Sequence, residues 1–172
     1  NGTFVIRYPR GTGSMVEWQT PFEAVEIGRG RRLRNGDDVA LLSIGAIGTE
    51  AVTAAEKLEA QGVSAAHYDM RFVKPLDEVL LHEVFSRFKD VITIEDGCVQ
   101  GGMGSAVTEW AMEQGYAAKV VRLGVPDRYI EHGTQAQLYA ECGYDAEAIV
   151  AKATDMVQAR GAESADEGLR IA

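Results

Sequence analysis

From about residue 26 to residue 159 the chain alternates between two hydrophobic rhythms. Short apolar runs give way to stretches in which apolar residues recur every three or four positions. Val39-Ala40-Leu41-Leu42-Ser43-Ile44 is almost continuously apolar, as a strand covered on both faces is. Gly45 to Gly48 turn the chain. Residues 49–61 then carry Val52, Ala55 and Leu58 at helical spacing, with Gly62 as the stop. Val63 to Met70 reads as the next strand. Leu76, Val79, Leu80, Val84 and Phe88 stripe a helix whose first turn holds Pro75, where a missing N–H costs nothing. The cycle repeats with a strand at 90–95, then a helix at 103–114 burying Ala106, Val107 and Trp110 and stopped by Gly115, then a strand at 118–123. Thr134-x-x-Gln137 is a capping box opening a short helix that ends at Gly143. Asp145 caps a last helix to about residue 159, with Ile149, Val150, Ala153 and Val157 inward. Before all of these, Asn35-Gly36 predicts a hairpin joining a strand near 26–33 to the strand at 39–44.

Strands alternating with helices predict a mostly parallel sheet covered on both faces. The expected fold is therefore a three-layer α/β/α sandwich. It has about five strands, one of them antiparallel at an edge. Residues 14–160 form this domain. Phe4-Val5-Ile6-Arg7 reads as a short strand followed by a linker with Pro9, Gly11 and Gly13, so residues 1–13 are expected to be the end of a preceding domain. The start at Asn1 without an initiator methionine points the same way. Residues 161–172 are polar and predict a disordered tail.

The chain has 172 residues, 46% hydrophobic and 25% charged, within the range of one globular domain. No run approaches 18 apolar residues, which predicts no membrane span. Net charge is −9 and uneven. Residues 1–37 carry six basic and four acidic groups, and the remainder 11 basic and 22 acidic. A surface that acidic argues against nucleic acid and anionic membranes as partners. The arginine-rich run from Arg29 to Arg34 reads as a charged sheet edge, which blocks unwanted strand pairing. Cys98 and Cys142 lie 44 residues apart without zinc spacing, which predicts free thiols and a reducing, cytoplasmic setting.

Candidate chemistry gathers at the carboxyl ends of the strands, where open α/β sheets bind ligands. Gly101, Gly102, Gly104 and Ser105 form a glycine-rich turn opening a helix. Its free N–H groups could hold an anion, and close packing of the strand-to-helix turn is the competing reading. Glu95 and Asp96 end a strand. Neighbours on a strand point to opposite faces, which favours capping and turn roles over a paired acid and base. Asp69 and Arg71 share a side and are expected to pair. His132, beside Glu131, could orient a neighbouring domain, with a solvated loop histidine as the competing reading. His67 and His82 belong to no constellation, and Cys98 has no histidine near it in sequence. No catalytic, cofactor-binding or metal-binding residue is assigned.

Five stretches together resemble the transketolase-like thiamine-diphosphate enzymes. They are Arg7-Tyr8-Pro9-Arg10-Gly11, Asp69-Met70-Arg71-Phe72-Val73-Lys74-Pro75-Leu76-Asp77, Ile94-Glu95-Asp96-Gly97, Gly101-Gly102-Met103-Gly104-Ser105 and the run from Leu123 to Gly133. Within that group residues 3–158 are most similar to the C-terminal domain of the 1-deoxy-D-xylulose-5-phosphate synthases. The lysine-proline run and the paired glycines also occur in the beta subunits of 2-oxo-acid dehydrogenases. Pro126-Asp127 with Glu131-His132-Gly133 and the Arg7–Gly11 run favours the synthases. The resemblance implies a parent of three domains that uses thiamine diphosphate and magnesium, with residues 1–10 left from its pyrimidine-binding domain. It implies that Arg10 grips the phosphate of glyceraldehyde 3-phosphate, with Arg7 a further but chiefly structural candidate. No Gly-Asp-Gly metal motif is present, so neither coenzyme nor magnesium is expected on this chain itself.

Three functions follow for comparison. One is the C-terminal part of such a synthase, condensing pyruvate with glyceraldehyde 3-phosphate. The second is an interaction module stabilising a homodimer without touching substrate. The third is the C-terminal domain of a transketolase or of a dehydrogenase beta subunit. The expected partners are the other domains of the same enzyme and a second copy of it. Self-association of the chain itself, through its body or through residues 3–7, is also expected.

Overall fold

A computed structural model describes residues 2, 3, 5, 6, 21 and 23–171, with side chains as far as 162. Phe4, Arg7 and the linker that follows lie outside the described residues. Val5 and Ile6, expected in a strand, are exposed and belong to none.

Among the described residues, five strands and five α-helices follow in the expected order. They are β1 (Arg31–Arg34), β2 (Val39–Ile44), α1 (Gly48–Ala60), β3 (Ala65–Asp69), α2 (Glu78–Arg87), β4 (Asp90–Cys98), α3 (Met103–Glu113), β5 (Lys119–Val125), α4 (Gln135–Cys142) and α5 (Ala146–Ile171). The sheet order is β1-β3-β2-β4-β5, parallel throughout except for β1 against β3. Two apolar layers cover it. Leu41, Ile92 and Ile94 meet Ala51, Ala54, Leu58, Ile149 and Ala153 of α1 and α5 on one face. Ala40, Leu42, Tyr68 and Val91 meet Leu81, Val84, Phe85, Val107 and Trp110 of α2 and α3 on the other. The three-layer sandwich and its antiparallel edge strand are as the hydrophobic pattern predicts.

The hairpin is not. β1 does not pair with β2; it skips across and pairs with β3, Arg31 opposite Asp69. Asn35-Gly36 therefore makes no two-residue hairpin turn, which needs positive φ at its glycine, and Gly36 is not among the positive-φ glycines. Gly36 serves close approach instead. A Cβ there would sit 2.2 Å from the Ala65 carbonyl carbon, and the amides of Asp37 and Asp38 donate to the Ser64 carbonyl. The link from β1 to β2 thus passes against the start of β3.

The helix faces also shift. Val52 and Val79 are exposed; Ala55, Leu58, Val84 and Phe88 are buried as expected, and Ala51, Ala54, Leu81 and Phe85 are buried beside them. Pro75 lies two residues before the true N-cap, Asp77, whose carboxylate accepts from the Leu80 amide. Thr134 and Gln137 form the reciprocal capping box, and Gly143 closes α4 in the left-handed conformation. Helix α5 runs to Ile171 rather than fraying near 159, through a segment whose alanines, glutamates and arginine favour helix.

Candidate functional site

The direction of the chain places the expected chemistry. Strands β2 to β5 all point their carboxyl ends one way, and β1 starts there, since Arg31 faces Asp69. The strand order reverses between β2 and β4, which puts the crevice of such a sheet between Ile44-Gly45 and the end of β4.

The glycine-rich turn after β4 already holds an anion, and it is the protein's own. The Glu95 carboxylate, only 6% exposed, accepts from the amides of Met103 and Gly104, both at 2.8 Å. It therefore satisfies two of the free N–H groups at the start of α3 and complements the positive end of the helix. Gly102 makes room for it, because a Cβ there would fall 2.1 Å from Glu95 Oε2. Gly101 adopts positive φ, and its amide donates to Ser105 Oγ at 3.0 Å. Ser105 donates in turn to the Val99 carbonyl and accepts from Arg122. Gly101, Gly102, Gly104 and Ser105 thus lie in one turn whose inner donors are taken.

Asp96 points the other way from Glu95 and accepts from the hydroxyls of Tyr139 (3.3 Å) and Tyr144 (3.0 Å). Burial first, then the nearby Asp96 charge, pushes both phenols above their ordinary range. This carboxylate ties α4 and the start of α5 to the end of β4. Glu95 thus has a capping role, as expected, whereas Asp96 bridges two tyrosine hydroxyls instead of closing a turn.

Asp69 lies 3.8 Å from Arg71 Nε and 3.0 Å from Arg31 Nε, and it accepts from the Arg71 amide as well. Arg71 has φ +55°, the sole positive-φ residue other than glycine among the described residues. His132 is exposed in the loop after β5, and Cys98 is an exposed free thiol. His82 bonds Tyr116 Oη at 2.7 Å within an aromatic group that includes Trp110 and Phe85. Arg7 and Arg10 lie outside the described residues.

One polar contact escaped the sequence reading. Ser43 Oγ and His67 Nε2 are 2.8 Å apart, each residue 1% exposed, on neighbouring strands. Burial lowers the His67 pKa to about 4, so the ring is neutral at pH 7. The available signal was parity: both residues fall on the strand positions that otherwise carry Leu41 and Ala65 toward α1 and α5. The pair is sealed from solvent and serves packing.

These residues do not suit thiamine diphosphate or its metal. The glycine turn meets a diphosphate with the Glu95 carboxylate, and no group of three or more His, Cys, Asp or Glu among the described residues could hold a metal ion. No helix among the described residues is long and apolar enough to cross a membrane.

A parallel α/β/α sandwich with one antiparallel edge strand, its polar groups gathered at the carboxyl edge, defines the class. Residues 28–149 match the transketolase C-terminal domain family, and the chain belongs to that family. It is 57% identical over 148 residues to the 1-deoxy-D-xylulose-5-phosphate synthase of Cytophaga hutchinsonii, covering 86% of this chain and 23% of that protein. It is 53% identical over 149 residues to the synthase of Bacteroides fragilis, again covering 86% and 23%. The chain thus spans about a quarter of the length of these curated relatives. A solved chain described as a split-gene transketolase, inactive beta4 tetramer, superposes with a TM-score of 0.73 at 37% identity, covering 78% of this chain and 44% of that one.

Proposed function

We propose that this chain is the C-terminal domain of a 1-deoxy-D-xylulose-5-phosphate synthase, a transferase that condenses pyruvate with glyceraldehyde 3-phosphate and releases carbon dioxide. The 57% identity to a synthase of that name carries the reading. Thiamine diphosphate and magnesium, bound by other parts of the polypeptide, would supply the decarboxylating chemistry. The product would feed isoprenoid, thiamine and pyridoxal synthesis in the cytoplasm. This domain's own part is structural: it packs against the remaining domains and supports a homodimer. Arg10 would reach the substrate phosphate, because a guanidinium offers paired donors to phosphate oxygens.

The test uses the full-length parent polypeptide and the 172-residue chain side by side. The parent should form 1-deoxy-D-xylulose 5-phosphate from the two substrates, and the chain alone should form none. In the parent, Arg10→Ala should raise KM for glyceraldehyde 3-phosphate about ten- to a hundredfold, the loss of roughly 1.5–3 kcal/mol of charge-assisted hydrogen bonding, and leave KM for pyruvate nearly unchanged. Turnover by the chain alone, or no product from the parent, would sink the assignment. Equal rises in both KM values would move Arg10 to a structural role.

A further inference from the structure

Four observations meet at the carboxyl end of β3. The first is an unsatisfied cation. The Arg71 side chain is 29% exposed, and its guanidinium makes no hydrogen bond to any described residue. Its one acid, Asp69, is 3.8 Å away and is held more closely by Arg31 at 3.0 Å. A half-buried guanidinium with five donors calls for an acceptor. The second is strain. Arg71 holds a left-handed backbone, φ +55°, which a residue with a Cβ adopts only at a cost. The third is exposed apolar surface next to it along the chain: Val73 is 42% exposed, and Pro75 is exposed.

The fourth is the path of the chain. Gly30 lies against the Asp69 carbonyl and Met70 and donates its amide to Asp77, while Gly28 packs on the Pro75 ring. Because β1 is antiparallel to β3, the polypeptide enters the sheet at this edge. It leaves from the opposite one, where Arg160 of α5 bonds Asp38 and Asp90 at the starts of β2 and β4. Whatever precedes the domain therefore arrives beside Arg71.

We infer that the carboxyl edge around Arg71, Val73 and Pro75 docks the domain that precedes this one in the polypeptide, with Arg71 donating to a carboxylate or carbonyl oxygen of that domain. The occupant is the same chain and not a second copy, because the entry path delivers it to the edge at high effective concentration. This inference rests on the proposed multidomain parent, and its readout does not depend on catalysis.

The experiment is amide hydrogen exchange on the full-length parent, with catalytic turnover measured separately. Residues 71–74 should exchange at least tenfold slower there than in the 172-residue chain, while 61–64 and 115–117 at the other edge should match in the two. In the parent, Val73→Glu and Arg71→Gly should each return the carboxyl edge to the faster rate. Arg71→Lys should restore part of the protection, and Met112→Glu, on the outer face of α3, should change nothing. Equal exchange in parent and chain overturns the proposal, as does protection that survives both edge variants. Protection that fades on dilution of the parent to monomer assigns the edge to a second copy and also overturns it. A parent that makes no synthase product yet shows the protected edge would fail the functional assignment alone.

Discussion

The two ends of the sheet are built differently. At the amino ends, charges are matched within the domain. Arg160 bonds Asp90 at 2.8 Å, Arg87 bonds the Gly36 carbonyl and Asp37, Arg34 bonds Glu59, and Asp38 accepts from the Ser64 amide. At the carboxyl ends, Glu95 and Asp96 fasten α3, α4 and α5, yet the Arg71 guanidinium makes no hydrogen bond to a described residue and Tyr129 stands in solvent. A closed edge spends its polar groups on the domain's own stability. An open edge keeps some back for contact, which is where parallel α/β sheets carry their ligands and partners.

The largest effect should come from the closed edge. Gly36→Val drives a side chain into the backbone of Ala65, with the first contact at 2.2 Å, and no flexible group there can yield. It should cost at least about 4 kcal/mol, enough to abolish a cooperative urea transition followed by circular dichroism. A variant that melts like the wild type would show that the β1–β2 link does not press on β3.

The second effect asks whether the carboxyl half has a sealed polar contact of its own. The folded pKa of His67, about 4, lies below the 6.5 of an unfolded histidine. The unfolded chain therefore takes up the proton first. Stability is unaffected above pH 6.5 and falls as pH drops from 6.5 toward 4, by up to about 3 kcal/mol. Urea titrations at stepped pH should show this slope in the wild type and lose it in His67→Gln. An unchanged slope would mean that the ring is hydrated or that other groups dominate.

The smallest effect sets the two edges directly against each other. Arg160→Met leaves the buried Asp90 without that partner and should cost about 2 kcal/mol. In the same 172-residue chain, Arg71→Gly relieves the left-handed backbone and loses one long ion pair, so stability should hold or rise by up to about 1 kcal/mol. Differential thermal denaturation of the pair decides it. If Arg71→Gly destabilised the chain as much as Arg160→Met, the carboxyl edge would be as closed as the other.

Much of this was legible in the sequence because it depends on local patterns. The run Val39–Ile44, the box Thr134–Gln137 and the stop at Gly143 each specify their element from within a few residues. The opposed roles of Glu95 and Asp96 follow from the two-residue period of a strand. What failed depends on pairs distant in sequence. Asn35-Gly36 looks like a hairpin until Ala65 is placed beside it. His67 looks solitary until β2 brings Ser43 within 2.8 Å. Val79 sits on the expected helical stripe but is exposed, while Leu81 and Phe85 join Val84 and Phe88 of that stripe in the core, because α2 is oriented by α3 as well as by the sheet. The open state of Arg71 required both its backbone angle and the prior claim of Arg31 on Asp69.

The pairing of β1 with β3 also has a consequence in time. A strand made early in synthesis finds its partner only after Asp69 has been added, about 35 residues past Arg34. At cellular elongation rates of about 5–20 residues per second this is a wait of roughly 2–7 s. During that wait Arg31, Arg32 and Arg34 repel other copies of the same nascent segment, a property that charged edge strands share with gatekeeper residues in slow-pairing sheets. Once β3 is in place, those arginines change role and bond Asp69, Glu83 and Glu59. The same three charges thus guard the unfinished chain and then fasten the finished one.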